Sequence, residues 1–367
     1  MPIINAKYNI NLETSVRENK SPMCQLYNRV VDIFKAYPDE ILKYFEGVTI
    51  QLTENHIPIC GEIFGGAIQI STGFMEKLWC NTFLDVAMSL QYSLLYSQVD
   101  CEHGKSVEVK WSQEMFACYE YIVLYANKTE WPGKLPAPIP DYIITQDSSL
   151  RDLTTEIFLY ELMMIFLHEA KHIDNNRKGK YQDNVLADEL DADTFAVNTY
   201  MGMELPDAEI INKKINFFNK RMLSMVELGS YYITCSILSP EKDEKHPTPI
   251  SRIESYISAV SGVLGVKREN DYDYSSDKYD IRPTIGHAAN ILHMRLQYLV
   301  LPFANSMHQR CLDTISSEFE SPFNLYFEAK NCLLEYIDYK NKHYESTGVD
   351  FFAEMKKADA IDFRCQP

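Results

Sequence analysis

The chain has 367 residues, 46% of them hydrophobic, enough to fill a sizeable core in one large domain or two ordinary ones. Its 52 acidic residues outnumber 35 basic ones, and the net charge of -17 matches phosphate backbones and anionic membranes poorly. Nucleic acid is therefore excluded as the expected partner, and a neutral or basic polypeptide is favoured.

The first thirty residues lack the basic head and continuous apolar stretch of a leader, and no run of eighteen apolar residues occurs anywhere. No membrane span is expected. The nine cysteines, Cys24, Cys60, Cys80, Cys101, Cys118, Cys235, Cys311, Cys332 and Cys365, never form a C-x-x-C pair, as expected of reduced thiols in a cytoplasmic protein.

In chain order, CQLYNRVVDIFKAY predicts a helix ending before Pro38. GVTIQLT alternates apolar and polar residues and GGAIQIST does so again, which predicts two strands of a small sheet. Helical spacing follows in GFMEKLWCNTFLDVAMSLQYSLLY and WSQEMFACYEYIVLYANK. The four prolines of EWPGKLPAPIPDY make that stretch a connector. Beyond it helices are predicted over 152–174, 184–201, 207–238, 249–264, 284–310 and 321–343, with the polar, tyrosine-rich KRENDYDYSSDKYD as a surface loop. The expected class is α+β, predominantly helical, with a small N-terminal sheet. The expected divisions are a helical segment over 1–45, a core over 46–204 and a helical C-terminal region over 205–367.

Chemistry concentrates in FLHEAKHIDNN, Phe166 to Asn176. The residues before it lack Gly and Pro and are rich in Leu, Met and Glu, so His168 and His172 fall one turn apart on one helix face. Both can present a ring nitrogen to one metal ion, while Glu169 points aside, where it can deprotonate a water. The alternative is a buried helix whose histidines are satisfied otherwise. A zinc site needs a third protein ligand, and NVLADELDADTFAVNTY follows on a second predicted helix after a polar turn. Glu189, seventeen residues after His172, is the expected third ligand. Asp193, one turn on, can accept the free N–H of a ligating histidine. Ala192 and Ala196 are small enough for the helices to approach, and Asp188 and Asp191 are expected on a solvated face.

The pair HEAKH and ELDAD resembles the gluzincin zinc metallopeptidases, whose pattern falls on His168, Glu169, His172, Glu189 and Asp193 without departure. More loosely, GGAIQISTGFMEKLW and KHPTPISRIESY are similar to segments flanking the site in the heat-shock and prenyl-protein endopeptidase branch. That branch is mostly membrane-embedded, and here about seventy residues separate Trp79 from the metal helix, more than is usual there. The soluble Lit-like phage-exclusion peptidases of bacteria are the nearer likeness. The resemblance implies a zincin-like catalytic core over 46–204, Zn2+ as cofactor, a polypeptide substrate, and endopeptidase activity by activated water, in a setting of bacterial phage defence with a regulatory trigger unknown.

It also implies an edge strand that pairs with the extended substrate, which would fall on Ala67, Ile68, Gln69 and Ile70; one more core strand is the alternative. His246 is a candidate oxyanion stabiliser, or else a histidine of a helix-capping loop. Arg252 can pair with a site carboxylate or with a surface acid. Two other functions stay open: a non-catalytic, metal-stabilised sensor, and a metal-dependent hydrolase of a non-peptide amide.

Overall fold

The computed structural model describes residues 3–14, 29–55, 60–63, 66–98, 112–125, 149–180, 184–202, 211–238, 246–264, 267–270, 273–275, 287–288, 291–292 and 322–347. The fold is α+β and mostly helical. Its sheet holds β1 (Ile3–Asn5), β2 (Ile10–Thr14), β3 (Thr49–Thr53), β4 (Cys60–Ile63) and β5 (Ala67–Ser71), in the order β1-β2-β3-β5-β4. The three middle strands run parallel, and β1 and β4 close the two edges antiparallel.

Strand alternation sets the two faces of the sheet. Leu12, Ile50 and Ile68 stand in register, as do Thr14, Leu52 and Ile70, and every isoleucine and leucine among them is buried. The other face is polar: Gln51 Nε2 donates to Glu13 Oε2 at 2.7 Å and Gln69 Nε2 to Thr53 Oγ1 at 3.3 Å. One face is therefore apolar and meets the helices.

The expected edge position of Ala67 to Ile70 is corrected here. They form β5, paired with β3 on one side and β4 on the other, and Ile68 and Ile70 are fully buried. The reason lies in the short segment CGEI, which folds back before Gly66 (φ 82°) and takes the edge itself as β4. The two strands before residue 45 also place part of the expected helical segment inside the sheet.

The helices are α1 (Val30–Ala36), α2 (Asp39–Leu42), α3 (Thr72–Gln98), α4 (Gln113–Tyr125), α5 (Ser149–Arg177), α6 (Val185–Gly202), α7 (Ile211–Leu238), α8 (Pro249–Leu264) and α9 (Pro322–Thr347). Two short strands, β6 (Lys267–Asn270) and β7 (Asp273–Ser275), pair antiparallel where a loop is expected from sequence. The proline-rich connector and most of the helix expected over 284–310 lie outside the described residues.

Two helices form the centre. Over 72–88 every residue of α3 is buried, and α5 buries both sides of its axis, with Phe158, Leu162, Met163, Phe166 and Leu167 all in the core. A helix buried on all faces belongs at the centre, and one continuous hydrophobic cluster runs from Ile10 to Tyr336 around these two. Gly229 of α7 lets α8 approach: a Cβ there would meet Ile253 Cγ1 at 2.2 Å. Among the described residues no helix is long and apolar enough to cross a membrane, and Cys60, Cys80, Cys118, Cys235 and Cys332 are free thiols.

Candidate active site

The local sequence explains how α5 and α6 meet. Gly179 adopts φ 64° just past the end of α5, and the Lys180 amide donates back to the Asn175 carbonyl at 2.9 Å, which closes the helix. Asn184 then accepts the Leu186 N–H at 3.1 Å and opens α6. Ala192 and Ala196 are buried at the crossing, so the helix axes come close.

That crossing brings three donors together. His168 Nε2 lies 3.0 Å from His172 Nε2 and 3.3 Å from Glu189 Oε2, and His172 Nε2 lies 3.4 Å from Glu189 Oε1. The other nitrogen of each ring is committed. His168 Nδ1 is 3.0 Å from Asp193 Oδ1 and His172 Nδ1 is 2.8 Å from Asp188 Oδ2. A ring that donates through Nδ1 keeps its lone pair on Nε2, so two lone pairs and a carboxylate are aimed at one point. His168, His172 and Glu189 have ligand atoms all within 4.8 Å of one another, and this donor set fits a divalent cation, Zn2+ by its chemistry.

The charges agree with that fit. Burial works against a charged His168, but Asp193 and Glu189 outweigh it and raise its pKa to about 10. Burial would likewise raise Glu189, yet the two histidines hold its carboxyl well below the usual range. Groups that draw a proton this strongly draw a divalent cation for the same electrostatic reason.

Arg252 resolves the choice left open by sequence. It is 5% exposed, donates through Nη2 to Glu189 Oε2 at 3.0 Å, and holds Nε 2.9 Å from Asp193 Oδ2 in an ion contact without aligned hydrogen-bond geometry. Its guanidinium lies 4.5 Å over the Tyr232 ring. The residue is delivered by a well-started helix: Thr248 Oγ1 accepts the Ser251 N–H at 3.2 Å and Pro249 occupies the first turn of α8. His246, just before that cap, reaches the rim with Nε2 3.8 Å from Glu189 Oε1 and stays half-exposed.

Asp188 departs from the expected solvated face. It accepts from His172 through one oxygen and from Asn175 Nδ2 at 2.8 Å through the other, while Asp191 faces Lys171 Nζ at 3.1 Å and Asn175. The readable signal was the pair Lys171 and Asn175, one turn apart on α5, facing Asp188 and Asp191, one turn apart on α6.

A cleft of about 710 Å³ opens over these groups. Glu169, 8% exposed, lines it beside His168, His172 and Glu189. Its walls come from β4 through Cys60 and Gly61, from α7 through Tyr231 and Tyr232, from the start of α8, and from α9 through Leu334, Ile337 and Asn341. Ala67, Ile68, Gln69 and Ile70 are not in the lining.

The family model of Peptidase U49 matches residues 68–264, more than half of the chain, and the match contains α5, α6 and α8. No curated protein and no solved structure gives a significant match.

Proposed function

The chain belongs to the Peptidase U49 family, and from that premise we propose that it is a zinc-dependent endopeptidase, cutting peptide bonds of protein substrates in the cytoplasm. The observation that supports this most directly is the convergence of His168, His172 and Glu189 on one point in a cleft that Glu169 also lines. Zn2+ held there would polarise the scissile carbonyl and acidify a water.

The protein's own groups do the rest. Glu169 takes the proton of the attacking water and returns it to the leaving amine, a role open to a carboxylate beside the ligands and unnecessary in a purely structural metal site. Asp193 and Asp188 fix the tautomers of His168 and His172, and Arg252 holds Glu189 and Asp193 in place. His246 at the rim supplies an imidazole to the oxyanion. An extended substrate pairs with the edge strand β4, whose Cys60 and Gly61 face the cleft; main-chain pairing tolerates many sequences.

Glu169→Gln separates this reading from a metal-stabilised sensor and from an amidohydrolase. Wild type and variant are each incubated with whole-cell lysate, and new protein N-termini are mapped by mass spectrometry. Both proteins are expected to hold about one zinc per chain, and only the wild type to generate new termini, with turnover down at least about a hundredfold in the variant. Termini absent with the wild type, or equal for the two proteins, overturn the proposal. The likeness to Lit-like phage-exclusion peptidases suggests where the activity is used, and plaque yield on bacteria expressing either protein tests that setting.

A further inference from the structure

The last described helix, α9, lies outside the residues matched by the family model, yet it lines the cleft. Its sequence carries two stripes. Ala329, Leu333, Tyr336 and Lys340 recur every three or four residues and are buried, which seats the helix in the core. Leu334, Ile337 and Asn341 recur in the same way about a quarter turn round the axis, and these three face the cleft. Two lysines pin the element: Lys330 pairs with Glu254 of α8, and Lys340, 2% exposed, donates to the Ser236 carbonyl of α7. A helix held at both points acts as a fixed wall.

The chemistry of the second stripe is specific. Leu334 is 36% exposed, high for a leucine in a concave site, and Ile337 stands one turn on. Asn341 Oδ1 is buried with no hydrogen-bond partner among the described residues. A buried carbonyl oxygen left so keeps its desolvation penalty, which is removed when a donor arrives. We propose that α9 is the substrate-selecting wall of the cleft: Leu334 and Ile337 receive one apolar side chain of an extended polypeptide, and Asn341 Oδ1 accepts a main-chain N–H from it. This rests on the endopeptidase reading and deepens it, because selection then depends on a helix outside the part matched by the family.

The test uses the full-length, zinc-loaded protein and a proteome-derived peptide library, with cleavage sites read by mass spectrometry. Leu334→Ala is expected to lower kcat/KM on the order of tenfold for peptides bearing an apolar residue at one subsite, leaving other subsites unchanged. Leu334→Glu is expected to turn the preference at that subsite towards Lys and Arg, a change that a merely structural role would not produce. Asn341→Ala is expected to raise KM across the library with kcat held. Profiles identical in the wild type and all three variants overturn the wall while leaving the endopeptidase reading intact. So does complete loss of cleavage by Leu334→Ala at unchanged zinc content and melting temperature, since a selecting residue alters choice and not turnover. A zinc-loaded wild type that cuts no library peptide defeats the endopeptidase reading itself, and this proposal with it.

Discussion

Glu161 sits fully buried in α5, two turns before His168, in the middle of an otherwise apolar stretch. Thr82 Oγ1 lies 2.9 Å from the Leu78 carbonyl and 2.8 Å from Glu161 Oε2, and its single proton can serve only one of them. A protonated Glu161 lets both contacts be bonds. Burial, against the opposing Thr82 hydroxyl, and the Asp85 charge together hold its pKa well above 4.5. The unfolded carboxyl ionises above about 4.5 while the folded one keeps its proton, so stability falls as pH rises, by about 1.4 kcal/mol per unit until the folded pKa is reached. Glu161→Gln is expected to melt higher than the wild type by a margin that widens as pH rises above about 5; a constant margin in calorimetry refutes this. Asp188→Asn, which keeps size but weakens acceptance from His172, is expected to lower zinc affinity about 10–100-fold in competition with a chelator. The five residues of the H-E-x-x-H and E-x-x-x-D patterns were legible because each pattern lies on one helix, where spacing fixes the face. The role of Arg252 depends on how separate helices cross, which spacing along one helix does not carry, and Asp188 was readable only through the complementary pair Lys171 and Asn175 on the facing helix.

At the scale of elements, the helices that hold the site were the most legible part of the chain. The predicted span 249–264 is the observed α8, and α5 and α6 differ from their predicted spans by three residues or fewer at either end. Long amphipathic or apolar periodicity survives tertiary context, whereas short strands do not declare themselves. IIN and INLET of β1 and β2 and CGEI of β4 are too brief to show alternation, and β6 and β7 lie in a polar stretch. The edge position expected of β5 came from the family resemblance, and β4, which the sequence does not declare, takes that edge instead. Where α7 and α8 cross, packing overrides propensity. Ala is favoured over Gly by about 1 kcal/mol within a helix, but a Cβ at position 229 would overlap Ile253 and overpacking costs about 1–3 kcal/mol. Gly229→Ala is expected to lower the melting temperature, and Gly229→Ala with Ile253→Ala to recover part of the loss relative to Ile253→Ala alone. A stabilised single variant would mean that Ile253 shifts freely.

For the whole molecule, a net charge of -17 sets a field that reaches beyond the cleft. At 0.1 M salt that field is screened over about 10 Å, so capture of cationic chains is expected to respond to ionic strength. kcat/KM for a lysine-flanked peptide should drop as sodium chloride rises from about 0.05 M to about 0.5 M, with KM carrying the change, while a neutral peptide of the same core sequence should be nearly indifferent. Equal responses would locate recognition wholly in short-range contacts. The order of the site residues along the chain has one more consequence. His168, Glu169, His172, Asp188, Glu189 and Asp193 all come from two consecutive helices, joined by a short connection of low loop-closure cost. Arg252 and the Leu334 stripe arrive much later in synthesis. If the proposed ligand set binds as its geometry suggests, a nascent chain that has emerged only to the end of α6 already carries every metal ligand, yet lacks the cleft walls supplied by α7, α8 and α9. Metal acquisition and competence to cut are then separated in time, and the ribosome-bound chain can hold its ion before it becomes a threat to its neighbours.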